Sequence, residues 1–82
     1  MEALPLSKRL SAYIQKHQLE RAFQKQFNLI LQNPFHPSLH TEILQPKNLH
    51  LYSFRITRSY RAIFIYRSEG LIEIIDVSNH YR

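Results

Sequence analysis

The basic residues after Lys47 are all arginines: Arg55, Arg58, Arg61, Arg67 and Arg82. A guanidinium is a planar fork that grips phosphate through two donors, where an ammonium offers only a point charge. His80, followed by Tyr81 and Arg82, adds the one side-chain type that titrates near neutrality, so it has the chemistry of a general acid or base. The competing reading of His80 is an exposed histidine near a chain end. His36 and His40 are four apart, but Pro37 between them excludes the helix on which that spacing would converge on a metal. The chain has no cysteine, so a thiolate metal site, a cysteine nucleophile and a disulfide scaffold are all excluded. No metal or other cofactor is expected. Glu73 and Asp76 are read as solvated or paired with arginine. No glycine-rich phosphate loop, serine-nucleophile motif or nucleic-acid-binding helix motif is present.

The elements that must position these residues follow from periodicity. Leu10, Tyr13, Ile14, Leu19, Ala22, Phe23, Phe27 and Ile30 recur at spacings of three and four, which predicts amphipathic helices over about 7–17 and 19–32. A single helix bent near His17 is the alternative. Ser7, after Pro5, is the expected N-cap, and Asn33-Pro34 the stop. Residues 33–48 hold three of the four prolines and read as a loop. From Leu49 the period becomes two, predicting strands over about 49–57, 60–67 and 71–79.

Register follows from charge. A two-residue loop at Arg58-Ser59 would put Arg61 on the apolar face. A three-residue loop at 57–59 instead sets Arg55 opposite Arg61 and gathers the aromatics on the other side, so it is preferred. A turn at Glu69-Gly70 then pairs Phe64 with Ile75, Ala62 with Val77 and Arg61 with Ser78. Arg55, Arg61, Ser78 and His80 share one exposed face, with Arg58 at the turn. Like charges directly opposite repel, so the face is expected to receive an anion.

With 82 residues the chain is one domain, 1–82. Its 44% hydrophobic content argues against disorder, and its net charge of +5 suits nucleic acid or an acidic protein. The opening MEALPLSKRL lacks the apolar stretch of a signal peptide, and no run approaches membrane-spanning length. A cytoplasmic protein without membrane association is expected.

Two stretches carry a resemblance: Leu51-Tyr-Ser-Phe-Arg-Ile-Thr-Arg-Ser-Tyr-Arg-Ala-Ile-Phe-Ile, and Ile72-Glu-Ile-Ile-Asp-Val-Ser-Asn-His-Tyr-Arg. With the preceding Asn33-Pro-Phe-His-Pro-Ser-Leu, they resemble toxins of the RelE/ParE superfamily of bacterial toxin–antitoxin systems. The resemblance implies an α+β fold, with two N-terminal helices packed on a three-stranded antiparallel β-meander. Family members open with a β-strand and many continue past the last one. This chain reads as starting with a helix and stops at Arg82, so the first strand is expected to be missing. In RelE-like, YoeB-like and HigB-like members, the implied function is ribosome-dependent mRNA cleavage that inhibits translation, neutralised by an acidic antitoxin. The implied catalytic residues are Arg61, His80, Tyr81 and, across a gap in the loop, Glu42. Arg55 is the matching basic residue on the preceding strand, and Arg58, Arg67 and Arg82 would contact RNA. The alternatives are a ParE-like DNA gyrase poison and an inactive homologue that acts only by binding protein.

Overall fold

The structure is a computed structural model that describes residues 1–79; the expectations for His80, Tyr81 and Arg82 lie outside the described residues. Ser7 is extended and its hydroxyl accepts from the Leu10 backbone N–H at 3.2 Å, capping α1 (Lys8–Lys16). Gln18 takes a φ of +56°, a left-handed step that no right-handed helix continues through. The stripe is therefore divided between α1 and α2 (Glu20–Gln32), not carried on one bent helix. Asn33 ends α2: its N–H donates to the Leu29 carbonyl at 2.8 Å, and its side-chain oxygen accepts from the Phe35 N–H at 3.0 Å. Among the described residues, no helix is long and apolar enough to cross a membrane.

The sheet has five strands, two more than expected: β1 (Glu2–Ala3), β2 (Glu42–Ile43), β3 (Tyr52–Arg55), β4 (Tyr60–Ser68) and β5 (Leu71–Asn79). Their order is β1-β5-β4-β3-β2, antiparallel except for β1 on β5. The expectation of a missing first strand is overturned. Glu2 N–H donates to the Gly70 carbonyl at 2.8 Å and Leu4 N–H to the Ile72 carbonyl at 2.9 Å, so β1 exists by pairing alone. Two residues are too few for any period to announce. The loop expected over 33–48 likewise contributes β2 and two 3₁₀ turns, Pro37–Leu39 and Lys47–Leu49. The second turn delays the start of β3, because His50 is left-handed at φ +56°.

The preferred hairpin register holds, with Arg55 opposite Arg61. Ala62 pairs with Val77 and Arg61 with Ser78, as expected, but Phe64 pairs with Ile74 rather than Ile75. A bulge on β5 between these pairs, offset by another on β4 before Ser68, restores the two-residue turn in which Gly70 takes φ +78°. One face of the meander carries Phe54, Ala62, Phe64, Ile72, Ile74 and Val77, all buried with Leu10, Ile14, Phe23 and Ile30 of the helices. Among the described residues, neither α1 nor α2 covers the other face. That asymmetry positions the site.

Candidate active site

Arg61 lies on the face away from the helices, yet only 7% of its surface is exposed. The expectation of an exposed arginine is wrong here, and the cause is the segment between α2 and β2. This strap leaves the helix side, where Leu39 is fully buried. It then crosses the edge of the sheet and presents the His40 carbonyl to Arg61 Nη2. His40 holds φ +46°, a left-handed conformation that costs a non-glycine residue about 1–2 kcal/mol. Inside the strap, Thr41 Oγ1 donates to the Pro34 carbonyl at 2.7 Å, and His36 Nδ1 accepts from the Ser38 N–H at 3.2 Å.

From below, β3 supplies the other partners. Arg61 Nε donates to Ser53 Oγ at 3.0 Å and Nη2 to the Ser53 carbonyl at 3.3 Å. Ser53 is itself 2% exposed. A guanidinium has five N–H donors, and Ser53 and His40 engage those on Nε and Nη2. The pair on Nη1 is taken by neither.

Burial pushes the Arg61 pKa down from its ordinary value and Arg55 opposite pushes the same way, while Glu42 opposes both. Arginine starts so high that it stays a cation at neutral pH. Among the described residues the ion pairs are Arg9–Asp76 at 3.8 Å and Arg67–Glu73 at 2.6 Å; neither involves Arg61. A desolvated cation without a carboxylate in contact is costly, and an incoming anion relieves that cost. A guanidinium held this way is able to receive an anion.

Beside Arg61 is a shallow cavity of about 180 Å³ lined also by Glu42, Leu44, Ser53, Ile63, Ser78 and Asn79. The structure therefore brings Glu42 and Arg61 to one cavity and sets Arg55, half-buried, against Arg61. Arg58 is exposed in the hairpin loop. Arg67 is not brought in: it sits six residues along β4, about 20 Å away at strand spacing, with Nε 2.6 Å from Glu73 Oε1. Glu73 and Asp76 are paired with arginines, as their sequence reading allowed. Among the described residues, no group of three or more histidines and acids could hold a metal ion. Sequence reasoning missed Ser53, although it shares the face of Arg55 two residues on and follows from the preferred register. It also missed the His40 carbonyl, for which no residue-type signal exists.

No family model matches this chain, and no curated protein matches it. In fold it is similar to a YoeB/ParE toxin from Agrobacterium tumefaciens. That match has a TM-score of 0.73 at 18% identity and covers 99% of this chain and 100% of the other. The likeness is one of fold.

Proposed function

We propose that this chain is a RelE/ParE-type toxin that cleaves mRNA on the ribosome and so inhibits translation. The observation that carries the reading is Arg61, a buried cation held by Ser53 and His40, with no carboxylate in contact among the described residues, facing a cavity shared with Glu42. The fold likeness to a YoeB/ParE toxin supports it. In the reaction, the ribose 2′-oxygen attacks the adjacent phosphorus and the bond to the 5′-oxygen breaks, leaving a cyclic phosphate and a 5′-hydroxyl. Arg61 stabilises the charge that builds on the phosphoryl oxygens, and Arg55 and Arg58 hold neighbouring phosphates. His80 transfers a proton, with Glu42 or Tyr81 assisting. The chemistry proposed calls on no cofactor. The partner that restrains it is an acidic antitoxin, attracted to the same arginine face in the cytoplasm.

The test is to incubate the protein with ribosomes and a reporter mRNA and to map new 5′ ends. Arg61→Ala should slow single-turnover cleavage about 10²–10³-fold. His80→Ala should slow it about 10²–10⁴-fold, the range of general acid–base catalysis. Cleavage at parental rates in His80→Ala removes that residue from the mechanism. A parent that cuts no RNA but blocks DNA gyrase moves the reading to the ParE-like branch.

A further inference from the structure

Gln26 lies in the middle of α2, three residues after Phe23 and four before Ile30, on the stripe that faces the core. Only 6% of it is exposed. An amide buried there must find partners within the protein. Gln26 Nε2 donates to the Arg55 carbonyl at 2.8 Å and to the Ser38 carbonyl at 3.1 Å, using both of its N–H groups.

Those two carbonyls belong to the two segments that bracket Arg61. Arg55 is directly across the hairpin from it. Ser38 stands two residues before His40, whose carbonyl accepts from Arg61 Nη2. β2 holds the far end of the strap against β3, and one nitrogen of Gln26 holds the near end against the end of β3. The apolar neighbours of Gln26 on the stripe would bury equally well at this position. What leucine or methionine lacks is the pair of donors.

We propose that Gln26 is a positioning residue for the Arg61 guanidinium: it sets where the His40 carbonyl stands relative to β3, and so where the cation points. Its consequence for cleavage rests on the ribonuclease reading; its effect on Arg61 does not. A carboxylate cannot replace it, because an ionised glutamate offers both carbonyls only repulsion.

The deciding measurement is hydrogen exchange of the Arg61 Nε–H by ¹⁵N NMR. That proton goes to Ser53 Oγ and not to any atom of Gln26, so it reports the guanidinium and not the helix. Gln26→Leu is compared with Ile14→Ala, a buried change on α1, at temperatures giving both the same margin below their melting points. Exchange about tenfold or more faster in Gln26→Leu than in Ile14→Ala is expected from local opening of the strap. Equal exchange in the two overturns the proposal. Gln26→Met, which keeps the length of the side chain and lacks both donors, is the second variant, should the leucine fail to fold.

Cleavage and RNA affinity, measured on the same samples, supply the functional arm. Gln26→Leu should lose about 10²-fold in single-turnover rate, the usual consequence of a small misplacement, with RNA affinity changed far less. Parental rates in Gln26→Leu, in a parent that cleaves, also overturn the proposal. A parent that cleaves nothing, with exchange raised as expected, sustains the positioning role and removes the ribonuclease reading instead.

Discussion

Arg61 and Ala62 are neighbours in the chain, and both are buried, at 7% and 0% exposed. They are buried by different physics. Ala62 faces the helices and is covered by Phe54, Phe64 and the apolar stripe of α1 and α2, an arrangement that needs only volume and hydrophobicity. Arg61 faces the other way and is covered by a strap, whose contact with it is a backbone carbonyl, and by a serine from β3. One side of the sheet stabilises the molecule by burying apolar area. The other accepts the cost of a desolvated charge, held in place by polar partners. Burial alone does not say what a residue is for; its partners do.

The sharpest way to break this division is on the helix side. Phe64 is fully buried, stacks on Tyr52 with centroids 5.5 Å apart, and meets Phe54 at 5.9 Å. Phe64→Ala should cost about 3–5 kcal/mol of stability. At about 4–8 °C per kcal/mol for a domain of this size, the melting temperature should fall by well over 10 °C. A drop of only a few degrees would mean that the helix-covered face is not what holds the fold together.

What was legible in the sequence divides along the same line. The helix-covered face could be read because its rule is periodic: Leu10 to Ile30 at helical spacing, then Tyr52, Phe54, Ala62 and Phe64 at spacing two. The Arg55–Arg61 pairing could be read because the alternative register put a charge into the core. Reading failed where periodicity is silent. Ile74 and Ile75 are both apolar, so nothing in their types marks the bulge. Glu2–Ala3 is too short to show a period and forms only because the β5 edge offers partners. Gln26 looks like a polar interruption of an apolar stripe, and its meaning depends on two carbonyls 12 and 29 residues away. The site is therefore legible in its charges and illegible in its scaffold.

A smaller effect tests the strap side. Ser53→Ala removes the acceptor of the Arg61 Nε–H while leaving the fold's apolar face untouched. Stripping one partner from a buried charged donor should cost about 1–3 kcal/mol. Arg61→Met should remove most of that dependence, so a double-mutant cycle between the two should show a coupling of about 0.5–3 kcal/mol. Strict additivity, measured by urea denaturation, would show that Ser53 merely fills space beneath the arginine.

The smallest effect separates the two faces by the sign of their response to alkali. Tyr13 packs on α1 against Tyr60, with centroids 6.3 Å apart. Burial first, then Tyr60 and Asp76, hold the Tyr13 phenol above its ordinary value of 10.0. The unfolded chain therefore loses this proton first, and above pH 10 the folded state binds more protons than the unfolded one. Stability is full below pH 10 and must fall as pH rises through the folded value. Arg61 behaves oppositely. Its pKa is lowered by burial, so the folded state binds fewer protons there, and its titration would raise stability in a still more alkaline range. Urea midpoints followed upward from pH 9 should fall in the parent and fall less in Tyr13→Phe, which keeps the ring and removes the titrating proton. An identical decline in both would shift the alkaline weakness away from Tyr13 and leave Tyr66, whose phenol is also raised by burial and by Tyr52, as the group to change next.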